Sequence, residues 1–492
     1  KFKNNKYFFI TNPYFITPKI YPFLNNFFTN DILRNMITME TIKSETDSKS
    51  KSFVSDVDFI LTLSAKEENT KIEIEQQNKK VNKSISKNKN IYLHLKKNNN
   101  YKVSANKNIF FSNLQPTNLV DSDGIKLNLF IFIDGLSSIL FNENNKDKLK
   151  NTKSFFSEGL HFKKHYCNQE WSLPSGANIF SGTHFQKHGV FHNENYSIIN
   201  EELKLLPEFF DEKKYMTFMI NGSHRLIPSY GYSKGFKRSL YKQSMSSNEV
   251  IDHFLEFEKV FSDTNKFVWL TFFDLHDAHN KSSISSNHYI SNVEEEKLKF
   301  NQEFNNKYID NYYNALQHLD NKLSFIYNHI SNKYKNDEIL ISLITDHGQD
   351  FFDNQKKILK DSRIIIPWLL KGRDVKKGEV NEITENIDIL PTILKLNNFN
   401  FDNQNIDGEL PNYFGGKRKE FSLTQSIYPN STYKSRVSFD DIYFDFESDE
   451  KINHLGKLKN TKLKFYESSK NPNDSRFEKA KKIIENKIKN LK

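Results

Sequence analysis

Two rhythms of apolar and polar positions divide the chain. From about Phe53 to Phe111 short runs alternate, as in Thr70-Lys71-Ile72-Glu73-Ile74 and Ile91-Tyr92-Leu93-His94-Leu95, with Asn/Lys clusters between them. Period two buries one face of a strand and wets the other, so these runs predict a small antiparallel β domain over 51–120. A break at Asp121–Gly124 precedes a different pattern: Leu127-Asn128-Leu129-Phe130-Ile131-Phe132-Ile133, a nearly continuous apolar run that ends at Asp134-Gly135. Such a run suits a strand covered on both faces of a parallel sheet. Similar runs at Tyr215–Ile220, Lys266–Phe273 and Ile339–Ile344 alternate with stretches suited to helices at Asn200–Glu212, Ser247–Phe261 and Glu294–Ser331. The alternation predicts an α/β domain with a mainly parallel sheet over 121–414. Beyond it, strands at Asp441–Phe446 and Lys462–Tyr466 and a Lys/Glu/Ile helix from about Asp474 predict a C-terminal α+β subdomain over 415–492. Residues 1–50 carry no clear period and take no assignment.

Length adds a prior of about three domains, or one large catalytic domain with appendages. The 37% hydrophobic share and mean hydropathy of -0.70 are low, but 44 Phe and 22 Tyr supply a core built on aromatic rings. The net charge of +10 permits anionic partners without demanding them. The lysine runs in Lys79–Lys107 and the tail lack aromatic interleaving, so nucleic acid is not an expected partner. A single cysteine, Cys167, excludes a disulfide framework and a Cys-based zinc site. The apolar stretch Tyr7–Leu24 is broken by Asn12, Pro13, Pro18, Lys19 and Pro22, so no transmembrane segment is expected and the chain reads as soluble, cytoplasmic or cell-envelope associated.

Common catalytic signatures, GxxxxGK[ST], GxGxxG and HExxH, are absent. His161/His165 and His184/His188 have helical i, i+4 spacing without the adjacent Glu of a zinc protease. In an open parallel sheet, ligands sit beyond the carboxyl ends of the strands. Polar groups stand at those ends: Asp134; Asn221 and His224; Asp274, His276, Asp277 and His279; Asp346 and His347. Between them, Trp171-Ser172-Leu173-Pro174-Ser175-Gly176 places a hydroxyl at the opening of a helix, where anions are stabilised. The same pattern is also an ordinary N-cap followed by a first-turn proline. Carboxylate, hydroxyl, carboxylate and imidazole together suit one hard or borderline divalent cation, which would lower the hydroxyl pKa.

With these residues in order, the chain resembles the alkaline phosphatase superfamily, and within it the sulfatase-like branch that includes phosphoethanolamine and phosphoglycerol transferases. The likeness runs from Asp134 through Phe155-Phe156-Ser157-Glu158-Gly159, the Ser172 turn with Ser181-Gly182 and His188-Gly189-Val190, Gly231 with Gly235-Phe236, Thr345-Asp346-His347-Gly348 and Ile366-Pro367 to Asp388-Ile389-Leu390-Pro391-Thr392. It implies an alkaline-phosphatase-like layering of helices around the sheet. It further implies that Ser172 is the nucleophile and a metal ligand, and that Asp134, Asp346 and His347 complete the shell of a divalent metal ion, whether zinc, manganese or calcium. His224, His279 and Lys356 match positions that hold the substrate's anionic oxygens or handle the leaving group. Asp274, His276 and Asp277, with His279, suggest a second metal site.

Departures from sulfatases favour phosphorus chemistry. Formylglycine formation reads an Arg four residues after the nucleophile, and Gly176 stands there; Gly135 replaces a second Asp, Gly222 replaces a Lys, and His347 replaces an Asn. The expected reaction is cleavage or transfer of a phosphate ester through Ser172, on an anionic ester substrate that is glycan or phospholipid-derived. The alternatives are a sulfuric ester hydrolase with formylglycine at position 172 and a non-catalytic glycan-binding relative.

Overall fold

A computed structural model of the chain describes residues 7–10, 38–276 and 306–489, except 88, 118–123, 143–144, 146, 192–197, 224, 243–244, 354–356, 402–404, 429, 454–455, 460–462 and 467–473. A ten-stranded sheet organises it, in the spatial order Tyr7–Ile10, Thr38–Lys43, Arg238–Lys242, Met216–Asn221, Lys266–Phe272, Leu127–Ile133, Ile339–Ile344, Ile365–Gly372, Leu160–Tyr166 and Gly378–Glu385. The five strands from Arg238–Lys242 to Ile339–Ile344 are mutually parallel. Their carboxyl ends therefore share one rim. The aperiodic N-terminal segment contributes two strands to this sheet, Thr38–Lys43 pairing antiparallel with Arg238–Lys242.

The apolar Leu127–Ile133 run is explained by its two covered faces. Phe130 and Phe132 point into one core with Trp269, Phe180 and the helix Ile389–Leu396, while Leu127, Leu129, Ile131 and Ile133 join a second core with Phe254, Leu316 and Leu323. The helices Ser247–Val260 and Asn306–Lys333 cover that second face. Both helices read correctly from the pattern; 294–305 lies outside the described residues. The expected helix over Asn200–Glu212 shortens to Leu206–Glu212, because Pro207 fits only a first turn and Glu208 Oε2 accepts the Leu205 amide at 2.7 Å.

Seven antiparallel strands between Thr46 and Pro116 form a separate sheet in which one inner strand, Phe59–Ala65, is buried throughout. Ile60 from that strand joins the core of the parallel sheet, and Gln115 receives a hydrogen bond from Lys237 (2.6 Å), so the two sheets are packed together. At the other end, four antiparallel strands from Ser422 to Tyr466 are backed by the helix Ser475–Lys489, with Ala480, Ile484 and Ile488 buried against Leu423, Tyr433 and Val437. Among the described residues no helix is long and apolar enough to cross a membrane.

Candidate active site

Each functional side chain is fixed by a sharp turn at the carboxyl rim. The strand Leu127–Ile133 delivers Asp134, whose amide still donates to Phe272 O at 3.0 Å, and the chain then turns at Gly135 with φ +77°. A side chain at position 135 would collide with Gln349. The Gly135 amide donates to Asp346 Oδ1 (3.1 Å), and the Leu136 amide donates to Thr345 Oγ1 (3.2 Å), which locks the Asp134 turn to the Asp346 turn.

Ser172 opens the helix Ser172–Ser181, after an extended Trp171, and every residue of that helix is buried. Its Oγ donates to Asp134 Oδ2 at 3.0 Å. One turn on, Ser175 Oγ donates to the Asp346 carbonyl (2.9 Å) and accepts from Asn386 Nδ2 (3.1 Å). A ligand atom from each of Asp134, Asp346 and His347 lies within 4.8 Å of the others, and all three residues are buried.

The orientation of His347 decides what this cluster can hold. Its Nδ1 lies 2.8 Å from Gly348 O, an atom that can only accept, so Nδ1 carries the proton. Burial pushes the imidazole down to about 4, with the positive Arg363 adding to the effect, so at neutral pH the ring is uncharged and Nε2 presents a lone pair. That lone pair faces Asp346 Oδ2 at 3.3 Å and Asp134 Oδ1 at 3.9 Å. Burial opposes ionisation of Asp346, yet its carboxyl lies below the usual value, the Gly135 amide on Oδ1 favouring the charged form. Three electron-rich groups facing one another, with Asp346 Oδ2 accepting no hydrogen bond, form a donor set that fits a cation.

Of the residues singled out from the sequence, the structure brings together Asp134, Ser172, Asp346 and His347. His224, His279, Lys356 and Asp277 lie outside the described residues. His276 stacks on Phe273 with ring centroids 4.3 Å apart, beside Gly135. The two histidine pairs at helical spacing have other surroundings. His161 and His165 lie on a strand, with His165 bonded to Thr384 and Asn386, and His188 bonds Asn178 and the Val190 amide.

Sequence reading passed over Arg363. Its Nε and Nη2 both donate to Glu170 O, at 3.0 and 2.7 Å, and its own carbonyl accepts from the Gly348 amide at 2.7 Å. It thereby ties the segment before Ser172 to the His347 turn. At Gly176, a side chain would run into Leu226 and approach Tyr232, so the helix has no room there for the arginine of a formylglycine signature.

Comparison with known proteins adds a family. A family model described as Sulfatase matches residues 127–399. No curated protein matches significantly. Among solved structures, a 2-O GAG sulfatase has a TM-score of 0.57 at 15% identity, covering 74% of this chain and 92% of its own. A putative sulfatase from Bacteroides thetaiotaomicron has a TM-score of 0.57 at 14% identity, over 74% of this chain and 91% of the other. A phosphonate monoester hydrolase from Silicibacter pomeroyi has a TM-score of 0.56 at 14% identity, over 74% and 96%.

Proposed function

The chain belongs to the sulfatase family, enzymes of sulfate or phosphate esters, and on that footing we propose that it cleaves or transfers a phosphate ester through Ser172 as an unmodified nucleophile. The observation that carries this reading is Ser172 Oγ at the first position of a buried helix, 3.0 Å from a carboxylate of the Asp134/Asp346/His347 cluster. Gly176, where modification to formylglycine would need Arg, supports phosphorus over sulfur.

Asp134, Asp346, His347 and Ser172 would hold a divalent cation, which when bound lowers the hydroxyl pKa and offsets charge on the transferred group. Asp134 Oδ2 engages the Ser172 proton, turning an Oγ lone pair towards the substrate. The amides of the helix N-terminus favour the anion there. Attack forms the Oγ–P bond, the Ser172 proton passing to Asp134 Oδ2, and breaks the P–O bond to the alcohol, which leaves with a proton that His224 or His279 would supply. Water or an acceptor hydroxyl then attacks phosphorus, and Ser172 Oγ leaves and regains a proton. Positioning and charge neutralisation account for most of the acceleration. The alcohol half of the ester is proposed to be glycan or lipid-derived.

Turnover of bis(4-nitrophenyl) phosphate by wild type and Ser172→Ala tests the reading. A loss of about 10³-fold or more in kcat/KM is expected from removing the nucleophile. Equal rates would overturn it. The family match keeps one other reading in play, a sulfatase with formylglycine at 172. It predicts that the peptide Glu170–Lys187 is lighter than its sequence by two hydrogens and that 4-nitrophenyl sulfate is turned over.

A further inference from the structure

A row of buried hydrogen bonds runs from the edge of the ten-stranded sheet to the turn that carries Asp346. It starts at Thr384 and His165, paired across the strands Gly378–Glu385 and Leu160–Tyr166, with Thr384 Oγ1 3.0 Å from His165 Nδ1. His165 Nε2 lies 3.0 Å from Asn386 Oδ1. Asn386 Nδ2 donates to Ser175 Oγ (3.1 Å) and to Thr345 O (3.4 Å), and Ser175 Oγ donates to Asp346 O (2.9 Å). All six residues are buried.

The direction of each bond is fixed from the far end of the row. The carbonyls of Thr345 and Asp346 can only accept, so the Asn386 nitrogen and the Ser175 hydroxyl face them as donors. The Asn386 oxygen is then turned to His165 and accepts from Nε2. Burial pushes this imidazole down to about 3, so at neutral pH the ring holds one proton. That proton sits on Nε2, and Nδ1 accepts from the Thr384 hydroxyl. Reversing any member would set donor against donor or acceptor against acceptor in the core, at a cost of about 1–3 kcal/mol for each group left unsatisfied.

The strand is bent to bring His165 to this place. The register of Leu160–Tyr166 shifts after Phe162 against both of its neighbours. Residues three apart in a regular strand point to opposite faces, yet Phe162 and His165 both lie against Trp368, with ring centroids 4.0 and 5.0 Å away. The bulge thus turns an imidazole into an apolar layer, where it meets Asn386.

We propose that His165 and Asn386 are positioning residues for the cation cluster, the row holding the Asp346–His347 turn against the helix that opens with Ser172. Ser175, one turn along that helix, is the link between the two. The row grips the turn through backbone carbonyls, while Asp346 Oδ2 and His347 Nε2 face each other at 3.3 Å. The inference rests on the reading of Asp134, Asp346 and His347 as a cation site, and not on which ester Ser172 attacks.

Zinc, and manganese in parallel, are titrated into the metal-free full chain against a chromogenic chelator, so the readout is a dissociation constant and needs no turnover. His165→Leu and Ser175→Ala are each expected to weaken the metal by about tenfold or more, as when groups that orient metal ligands are removed. His165→Gln, whose amide nitrogen can stand where Nε2 stood and donate to Asn386, should bind as wild type. Losses along one row do not add, so His165→Leu/Ser175→Ala should bind no more weakly than the weaker single variant. Thr152→Ala, which breaks a buried bond to Asp320 (2.6 Å) elsewhere in the fold, lowers stability and should leave the metal constant unchanged. The proposal is overturned if the single variants bind as wild type, if their effects add, if His165→Gln is as weak as His165→Leu, or if Thr152→Ala weakens the metal equally. Wild type that binds neither metal would overturn the cation site itself, a failure distinct from these. Should His165→Leu fold poorly, Ser175→Ala, the smaller change, decides alone.

Discussion

Gly135 shows how single positions shape the site. Its φ of +77° and the Gln349 amide filling the space beside it leave no place for a side chain, so the second acidic ligand common in sulfatases has no room here. Gly135→Ala should lower stability by about 1–3 kcal/mol in urea denaturation, and reduce activity by more than the stability loss explains, because the Asp134 turn shifts. Gly176→Arg, which recreates the modification signature, should likewise destabilise through overpacking against Leu226, by about 1–3 kcal/mol, without producing sulfatase activity. Asp134, Ser172, Asp346 and His347 were legible in the sequence because each sits in a local turn directly after a buried apolar run or at a helix opening. Arg363 and Asn386 were not, because each acquires its surroundings from residues far along the chain.

Among the elements, apolar runs were read well where burial is two-sided, as in Ile339–Ile344, buried at every position. The His161/His165 spacing misleads in the opposite way, since those residues belong to a strand with a register shift between Phe162 and His165. A buried ionic cluster joins the helices Ser247–Val260 and Asn306–Lys333 to the start of the Lys266–Phe272 strand. Glu258 accepts from Lys333 (2.8 Å) and Tyr334 (2.7 Å), with Lys266 Nζ 3.3 Å away. Burial opposes ionisation of Glu258, but His329, Lys266 and Lys333 hold its carboxyl down to about 2. The unfolded carboxyl titrates near 4.5, so its contribution is present above that pH and lost as pH falls through about 2. Lys266 works against this: burial pushes its ammonium down to about 8, so at neutral pH its charge is a penalty, relieved as pH rises from about 8 towards 10.5. Removing one partner strands the others. Glu258→Gln should therefore destabilise by about 3–5 kcal/mol at pH 7, and the gap from wild type should narrow between pH 4.5 and 2 in denaturant titrations.

For the whole molecule, the C-terminal sheet is fastened to the site by Lys419, whose ammonium lies 2.6 Å from Glu385 and 2.7 Å from Asp388. Burial is the main force raising the Asp388 carboxyl to about 6, with Glu385 adding to it and Lys419 opposing. Next to them, Asn386 bonds Ser175 on the Ser172 helix, so the clasp and that helix share a support. Lys419→Met would leave both carboxylates buried without their cation, with an expected loss of about 3–5 kcal/mol and faster proteolysis of the C-terminal sheet. A cation in the Asp134/Asp346/His347 cluster should also stabilise the fold. At about 100 times its Kd, the gain should be about 2.7 kcal/mol, read as a higher melting temperature that Asp346→Ala/His347→Ala loses together with the bound metal in elemental mass spectrometry.

By itself, the sequence determined the alternating α/β order, the antiparallel sheets before and after it, and the acidic, hydroxyl and imidazole groups at the strand ends. These follow from local pattern, since a strand buried on both faces must be apolar and must stop where polar residues begin. Tertiary structure alone decided that these groups converge, that the His347 lone pair faces two carboxylates, and that Arg225 lies over Trp171. Such relations depend on which strands pair and in what register, and so on contacts between residues that no local period connects.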